Sequence, residues 1–126
     1  MPGSKSVGAT VVLTDEVRYR LLRLLESNPK LTQRELAREL GMSLGRTNYC
    51  LQSLIEKGWI KATNFKNSRN KIAYMYLLTP RGIERKTQVT LRFLQRKLEE
   101  YESLRAEIER IRQDAERQET ERPRMG

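Results

Sequence analysis

Along nearly the first half of the chain the apolar positions come at helical spacing, and each run is bracketed by residues that start or stop helices. Val17, Leu21, Leu24 and Leu25 form one stripe. Thr14 stands ready to cap it, and Asp15 and Glu16 fall in its opening turn, where the helix dipole favours acids. Asn28-Pro29 ends the run, because the residue before proline avoids the helical region. Thr32-Gln33-Arg34-Glu35 is a capping box, with Leu31 and Leu36 placed as its hydrophobic staple, and predicts a short second helix reaching Leu40. Gly41 supplies the left-handed residue that closes it, and Ser43 can cap a third helix from Leu44 to Lys57, with Thr47, Leu51 and Leu54 inward and Gly58 as its stop. Two helices joined by about three residues cross steeply, as in a helix-turn-helix.

The period then changes. Trp59 to Phe65 and Ile72 to Leu78 are rich in β-branched and aromatic residues, and the stretch between them, Lys66 to Lys71, is turn-forming and basic, which predicts a β-hairpin with a charged tip. Thr79-Pro80, with Leu78 and Ile83 as a staple, opens a helix that meets no Pro or Gly from Ile83 to Gln118. Taken from Pro80 to Gln118 it would be roughly 58 Å long. From Leu91 its apolar positions run Leu91, Leu94, Leu98, Tyr101, Leu104, Ile108, Ile111 and Ala115, a heptad-type seam with one short step between Tyr101 and Leu104. Charges of both signs occupy most of the other positions, so the seam calls for a partner helix. Packing back onto the preceding domain is the alternative, but the helix is too long for that domain to cover it.

Composition narrows the chemistry. The chain has 126 residues, 25 Lys+Arg against 16 Asp+Glu, and a net charge of +9, so acidic partners are expected. The surplus is segregated, with 14 basic and 6 acidic residues up to Gly82 against 11 and 10 after it. One Cys and no His exclude an intramolecular disulfide framework, the usual zinc-finger ligand sets and any catalytic triad that needs an imidazole. No paired carboxylates, Gly-rich phosphate loop or metal-ligand cluster is evident, so an enzyme, a metal and a cofactor are not expected. No apolar run approaches a membrane span, and the first ten residues lack a secretory signal, which points to a soluble cytoplasmic protein without a membrane partner.

Helix, helix-turn-helix, then hairpin is the order of a winged-helix DNA-binding domain. The segment from Leu40 to Ile60, with its "Leu-x-x-x-Gly-x-Ile" exit, resembles the turn and recognition helix of MarR-type bacterial regulators, and Leu77-Leu-Thr-Pro-Arg-Gly82 is similar to the "L-T-x-x-G" that joins wing to last helix in them. The resemblance covers about Thr14 to Gly82. Within the family it is nearest the short subgroup associated with exopolysaccharide operons, with one long C-terminal helix in place of the usual two. The expected fold is therefore mainly α with a small β-hairpin. Its parts are a flexible start at residues 1–13, a winged helix-turn-helix domain at 14–82, a coiled-coil dimerisation helix at 83–118 and a flexible tail at 119–126.

The functional expectation is a homodimeric, sequence-specific regulator on a pseudo-palindromic duplex. A recognition helix enters the major groove by its first turns, whose outward positions are Leu44, Gly45, Arg46, Asn48, Tyr49 and Gln52, following Ser43. Arg suits guanine O6/N7, and Asn and Gln suit adenine N6/N7. Gly45 either makes room for DNA or is simply tolerated in a first turn, and Tyr49 either reaches DNA or packs on the second helix. Thr47 reads as core. At the wing tip, Arg69 is placed for the minor groove and Lys66 and Lys71 for phosphates, against the alternative of a merely solvated turn. Thr32 and Gln33 are candidates for phosphate contacts, and Thr32 is equally explained as a cap. Cys50 reads as core filler rather than a thiol switch. The seam from Leu91 to Ile111 is assigned to dimerisation. Because the single last helix departs from the family pattern, which places effectors between dimerisation helices and winged domain, no small-molecule effector is expected. The rival class is a winged-helix adaptor that pairs with another protein through its coiled coil; the charge segregation favours DNA.

Overall fold

A computed structural model describes residues 13–122. It is mainly helical with one antiparallel hairpin: α1 (Asp15–Ser27), α2 (Gln33–Leu40), α3 (Leu44–Glu56), β1 (Ile60–Lys66), β2 (Ile72–Leu78) and α4 (Pro80–Glu121). The first two helix starts are set locally. The Thr14 hydroxyl accepts from the Val17 amide, and the Thr32 capping box is closed in both directions, its hydroxyl accepting from the Glu35 amide while the Glu35 carboxylate accepts from the Thr32 amide. Gly41 takes φ 65° and closes α2, and Met42 returns its N–H to the Ala37 carbonyl, a Schellman-type stop that leaves three residues before α3. Asn28 is extended, as its proline neighbour demands.

The described residues divide into two compact units, the division falling between Phe93 and Leu94. In the first, Leu21, Leu22, Leu25, Leu36, Leu51, Leu54, Ile60 and Val89 are fully buried in one core, with Trp59 and Tyr76 at its margin. The strands pair from Ile60 opposite Leu78 to Lys66 opposite Ile72, and the Tyr76 amide donates to the Pro29 carbonyl, which ties the α1–α2 loop to the hairpin. The Arg20 guanidinium donates to the Glu39 and Leu40 carbonyls, placing a cation on the negative end of α2.

Several boundaries differ from expectation. Leu22 joins the α1 stripe, and Leu13, expected in the flexible start, is buried in the core as the apolar residue just before the cap. The rest of that start, residues 1–12, lies outside the described residues, as do residues 123–126 of the expected tail. Helix α4 runs on to Glu121, because nothing between Gln118 and Glu121 breaks a helix. Ile83, expected to staple onto Leu78, stays 54% exposed. The start of α4 is fixed instead by Thr79, whose hydroxyl donates to the Gly58 and Trp59 carbonyls and accepts from the Gly82 amide. The first unit also continues past Gly82: Val89 enters the core, the Phe93 ring lies 5.2 Å from that of Tyr19, and Lys86 pairs with Glu26 at 2.9 Å. Among the described residues no helix is long and apolar enough to cross a membrane.

Candidate nucleic-acid interface

Ser43 orients the start of α3. Its hydroxyl accepts from the Arg46 amide at 3.2 Å, and its carbonyl accepts from both the amide and the hydroxyl of Thr47. Thr47 is thereby turned fully into the core, and helical periodicity sends its neighbours outward. Leu44, Gly45, Arg46, Asn48, Tyr49 and Gln52 are all exposed. Tyr49 is 48% exposed, so it does not bury its ring on α2. A Cβ built on Gly45 would have nothing within 4 Å, so nothing inside the fold requires a glycine there.

Two of the candidate residues meet. The Gln33 side-chain amide donates to Asn48 Oδ1 at 3.3 Å and to the Tyr76 hydroxyl at 2.9 Å, joining α2, α3 and β2. Gln33 is thus a cross-brace before it is anything else, whereas Asn48 keeps its own donors and a second lone pair for another partner. Thr32 is exposed but its hydroxyl serves the cap. The Thr32 amide first, and its hydroxyl second, hold the Glu35 carboxyl below its usual range, so the box stays ionised and closed near neutral pH.

The wing tip is built around Asn67, a residue that sequence reasoning did not single out. Its Oδ1 accepts from the Arg69 and Lys71 amides, its own amide donates to the Lys71 carbonyl, and Asn70 takes φ 60°, in the left-handed region that Asn tolerates. Lys66, Arg69 and Lys71 are exposed around this turn. Between the wing base and the start of α2 lies a groove of about 360 Å³ lined by Lys30, Thr32, Gln33, Phe65, Tyr74 and Tyr76, with the Lys30 ammonium 5.0 Å from the centre of the Phe65 ring. An Asn at the head of a polar turn is the signal that could have found Asn67; Lys30 and Tyr74 carry none that stands out locally.

Cys50 faces the core at 1% exposure, and burial pushes its thiol pKa up despite Arg46 and Arg18. Neutral and covered, it has the opposite of a reactive thiolate's surroundings. The seam of α4 behaves differently from that core: Leu91, Leu94, Leu98, Tyr101, Leu104, Ile108 and Ile111 are each 47–60% exposed. Such a row of large apolar side chains in water marks an interaction surface.

Residues 14–61 match the family model for winged helix-turn-helix DNA-binding domains. No curated protein matches the chain in sequence. Among solved structures it is similar to the PcaV transcriptional regulator from Streptomyces coelicolor bound to its natural ligand, at 17% identity over 83% of this chain and 73% of that one, with a TM-score of 0.58. It is also similar to a MepR mutant from a multidrug-resistant S. aureus clinical isolate, at 19% identity over 89% and 85% of the two chains and a TM-score of 0.52. A MarR family transcriptional regulator from Silicibacter pomeroyi gives 18% identity, 77% and 71% coverage and a TM-score of 0.51. The likeness is one of fold, and it agrees with the motifs between Leu40 and Gly82.

Proposed function

We propose that this chain is a homodimeric, sequence-specific transcriptional regulator that acts by occupying operator DNA. The observation that carries the reading is the start of α3. There, Ser43 and buried Thr47 fix the helix so that Arg46, Asn48, Tyr49 and Gln52 all face solvent, and the wing of the same unit exposes Lys66, Arg69 and Lys71. Base-edge donors on one helix, and cations that suit phosphates on the wing, are the parts direct readout needs. In this role Arg46 and Asn48 read bases, Gln52 and Tyr49 extend the contact, Leu44 meets a thymine methyl, and Gly45 lets the backbone approach. Ser43, Thr32 and Gln33 lie beside the phosphate path, and Arg69 enters or borders the minor groove.

One recognition helix spans few base pairs, so two copies joined through the α4 seam are the functional unit, reading half-sites related by a two-fold axis. The resemblance to the exopolysaccharide-associated subgroup makes such genes the first targets to examine.

The test is an anisotropy titration into a duplex from upstream of the protein's own coding region and into a scrambled duplex, at two salt concentrations. A preference of about a thousandfold that survives at the higher salt supports operator binding. Equal affinities that collapse together with salt reduce the reading to charge attraction. Absence of binding to either duplex favours the adaptor.

A further inference from the structure

The apolar seam of α4 has a property that leaves the direction of pairing open. From Leu91 to Ile111 its steps are three, four, three, three, four and three residues, the same read from either end, with Tyr101 at the centre. Two copies can therefore bury this seam equally well in two ways. Side by side in the same direction, each apolar residue meets its own counterpart. Head to tail, Leu91 meets Ile111, Leu94 meets Ile108, Leu98 meets Leu104, and Tyr101 again meets itself. Hydrophobic burial does not choose between these, so the choice passes to the charges flanking the seam.

Those charges are not symmetric. In a parallel pair, the residue just before one core position faces the residue five further along on the other copy. Lys97 then faces Glu102, Glu100 faces Arg105, and Glu107 faces Arg112, each opposite in sign and each occurring twice. Only Asp114 facing Glu119 is like-charged, at the last core position, Ala115, where Arg117 of the same helix pairs with Asp114. In the head-to-tail pair Lys97 meets Glu107, but Glu100 and Glu102 each come against their own copies on the two sides of the Tyr101 layer. Within one helix Lys97 already bonds Glu100 at 3.2 Å and Arg105 lies 3.7 Å from Glu102, so the parallel pairs extend existing ion pairs into a network across the seam.

We infer that the partner of the exposed α4 face is a second copy of this chain in parallel, in-register alignment, selected by these charges rather than by the apolar residues. This rests on the reading above that two copies pair through α4. The two-fold axis then runs along the paired helices, and the two winged domains leave the coil at the same end.

The test uses single cysteines in the full chain, followed by oxidation and non-reducing electrophoresis, with sedimentation run in parallel. Cys50, at 1% exposure, stays out of the reaction, and the wild-type chain is the control. Leu94→Cys and Ile111→Cys, both at exposed positions, are each expected to form covalent dimers alone. In the head-to-tail pair residue 94 would sit opposite 108, about 21 Å along the helix from its own copy. Covalent dimers only from a mixture of Leu94→Cys and Ile108→Cys would overturn the orientation while leaving the dimer. A sedimenting dimer with neither crosslink would place the interface elsewhere, and a monomer at all concentrations would overturn the dimer itself. As a second reading that leaves the seam intact, Lys97→Glu is expected to weaken dimerisation about fivefold. Adding Glu102→Lys should restore it; failure of that rescue counts against the parallel pair.

Discussion

Arg46 and Lys71 are both exposed cations on the same unit, yet the proposed interface gives them different work. In that proposal Arg46, on α3, reads a base. Its replacement by Ala is expected to cost about 1–3 kcal/mol on the cognate duplex and to relax selectivity at one position. Lys71, at the wing tip, is assigned to phosphate, so Lys71→Ala should weaken all duplexes alike and lower the salt slope by about one. Equal losses on cognate and scrambled DNA for Arg46→Ala would remove its base-reading role. Two glycines make a similar contrast. A Cβ at Gly82 would lie 1.8 Å from the Trp59 carbonyl oxygen, a backbone atom that the Thr79 hydroxyl also binds, so Gly82→Ala should destabilise by about 3 kcal/mol in urea unfolding. At Gly45 the same methyl meets nothing, so Gly45→Ala should raise stability by about 0.5–1 kcal/mol while weakening DNA binding, the signature of a glycine kept for the approach of a ligand. Unchanged affinity would make Gly45 merely a tolerated residue.

At the scale of elements, what was legible in the sequence is what short-range chemistry decides. The Thr14, Thr32 and Ser43 caps, the Gly41 and Gly58 stops and the hairpin strands are each fixed within a few residues, and each forms where expected except that the first strand starts and ends one residue later. The cross-braces were not legible, because their partners are far apart in sequence. Gln33 reaches Tyr76 across 43 positions, and Arg92 reaches Asp15 across 77. Asp15 looked like a simple dipole partner at the start of α1, yet it is buried between Arg18 and Arg92 and ties α1 to α4. The Arg92 hydrogen bond, more than any other influence, holds its carboxyl below the usual carboxylate range, and burial only partly opposes this. A depressed folded pKa gives stability that is fully present above the unfolded value and is lost as pH falls through the folded one. Asp15→Asn is therefore expected to cost about 1–2 kcal/mol at pH 7. The gap between variant and wild type should close as the pH is lowered below about 4, as read by denaturant unfolding at a series of pH values. A gap that stayed constant down to strongly acid pH would show that Asp15 acts by shape alone.

For the molecule as a whole, the division of labour follows the charge. The first 82 residues carry a surplus of 8 positive charges, while the rest is nearly balanced, so the proposed attraction to nucleic acid falls to the winged part and α4 is left to ion pairs of both signs. Core and seam also differ in what they ask of solvent: one set of leucines is sealed, the other stands half exposed, and in the proposed dimer it is a second chain that covers it. The sealed thiol of Cys50 turns that contrast into a clock. It touches no solvent while α1, α2, α3 and the hairpin stay closed, and burial keeps it protonated, so it can react with a thiol reagent only during the moments when the winged unit opens. Its labelling rate should be slow, should depend little on reagent concentration once opening is limiting, and should fall further when cognate DNA is bound. The protein thus carries its own recorder of how often the winged unit comes apart.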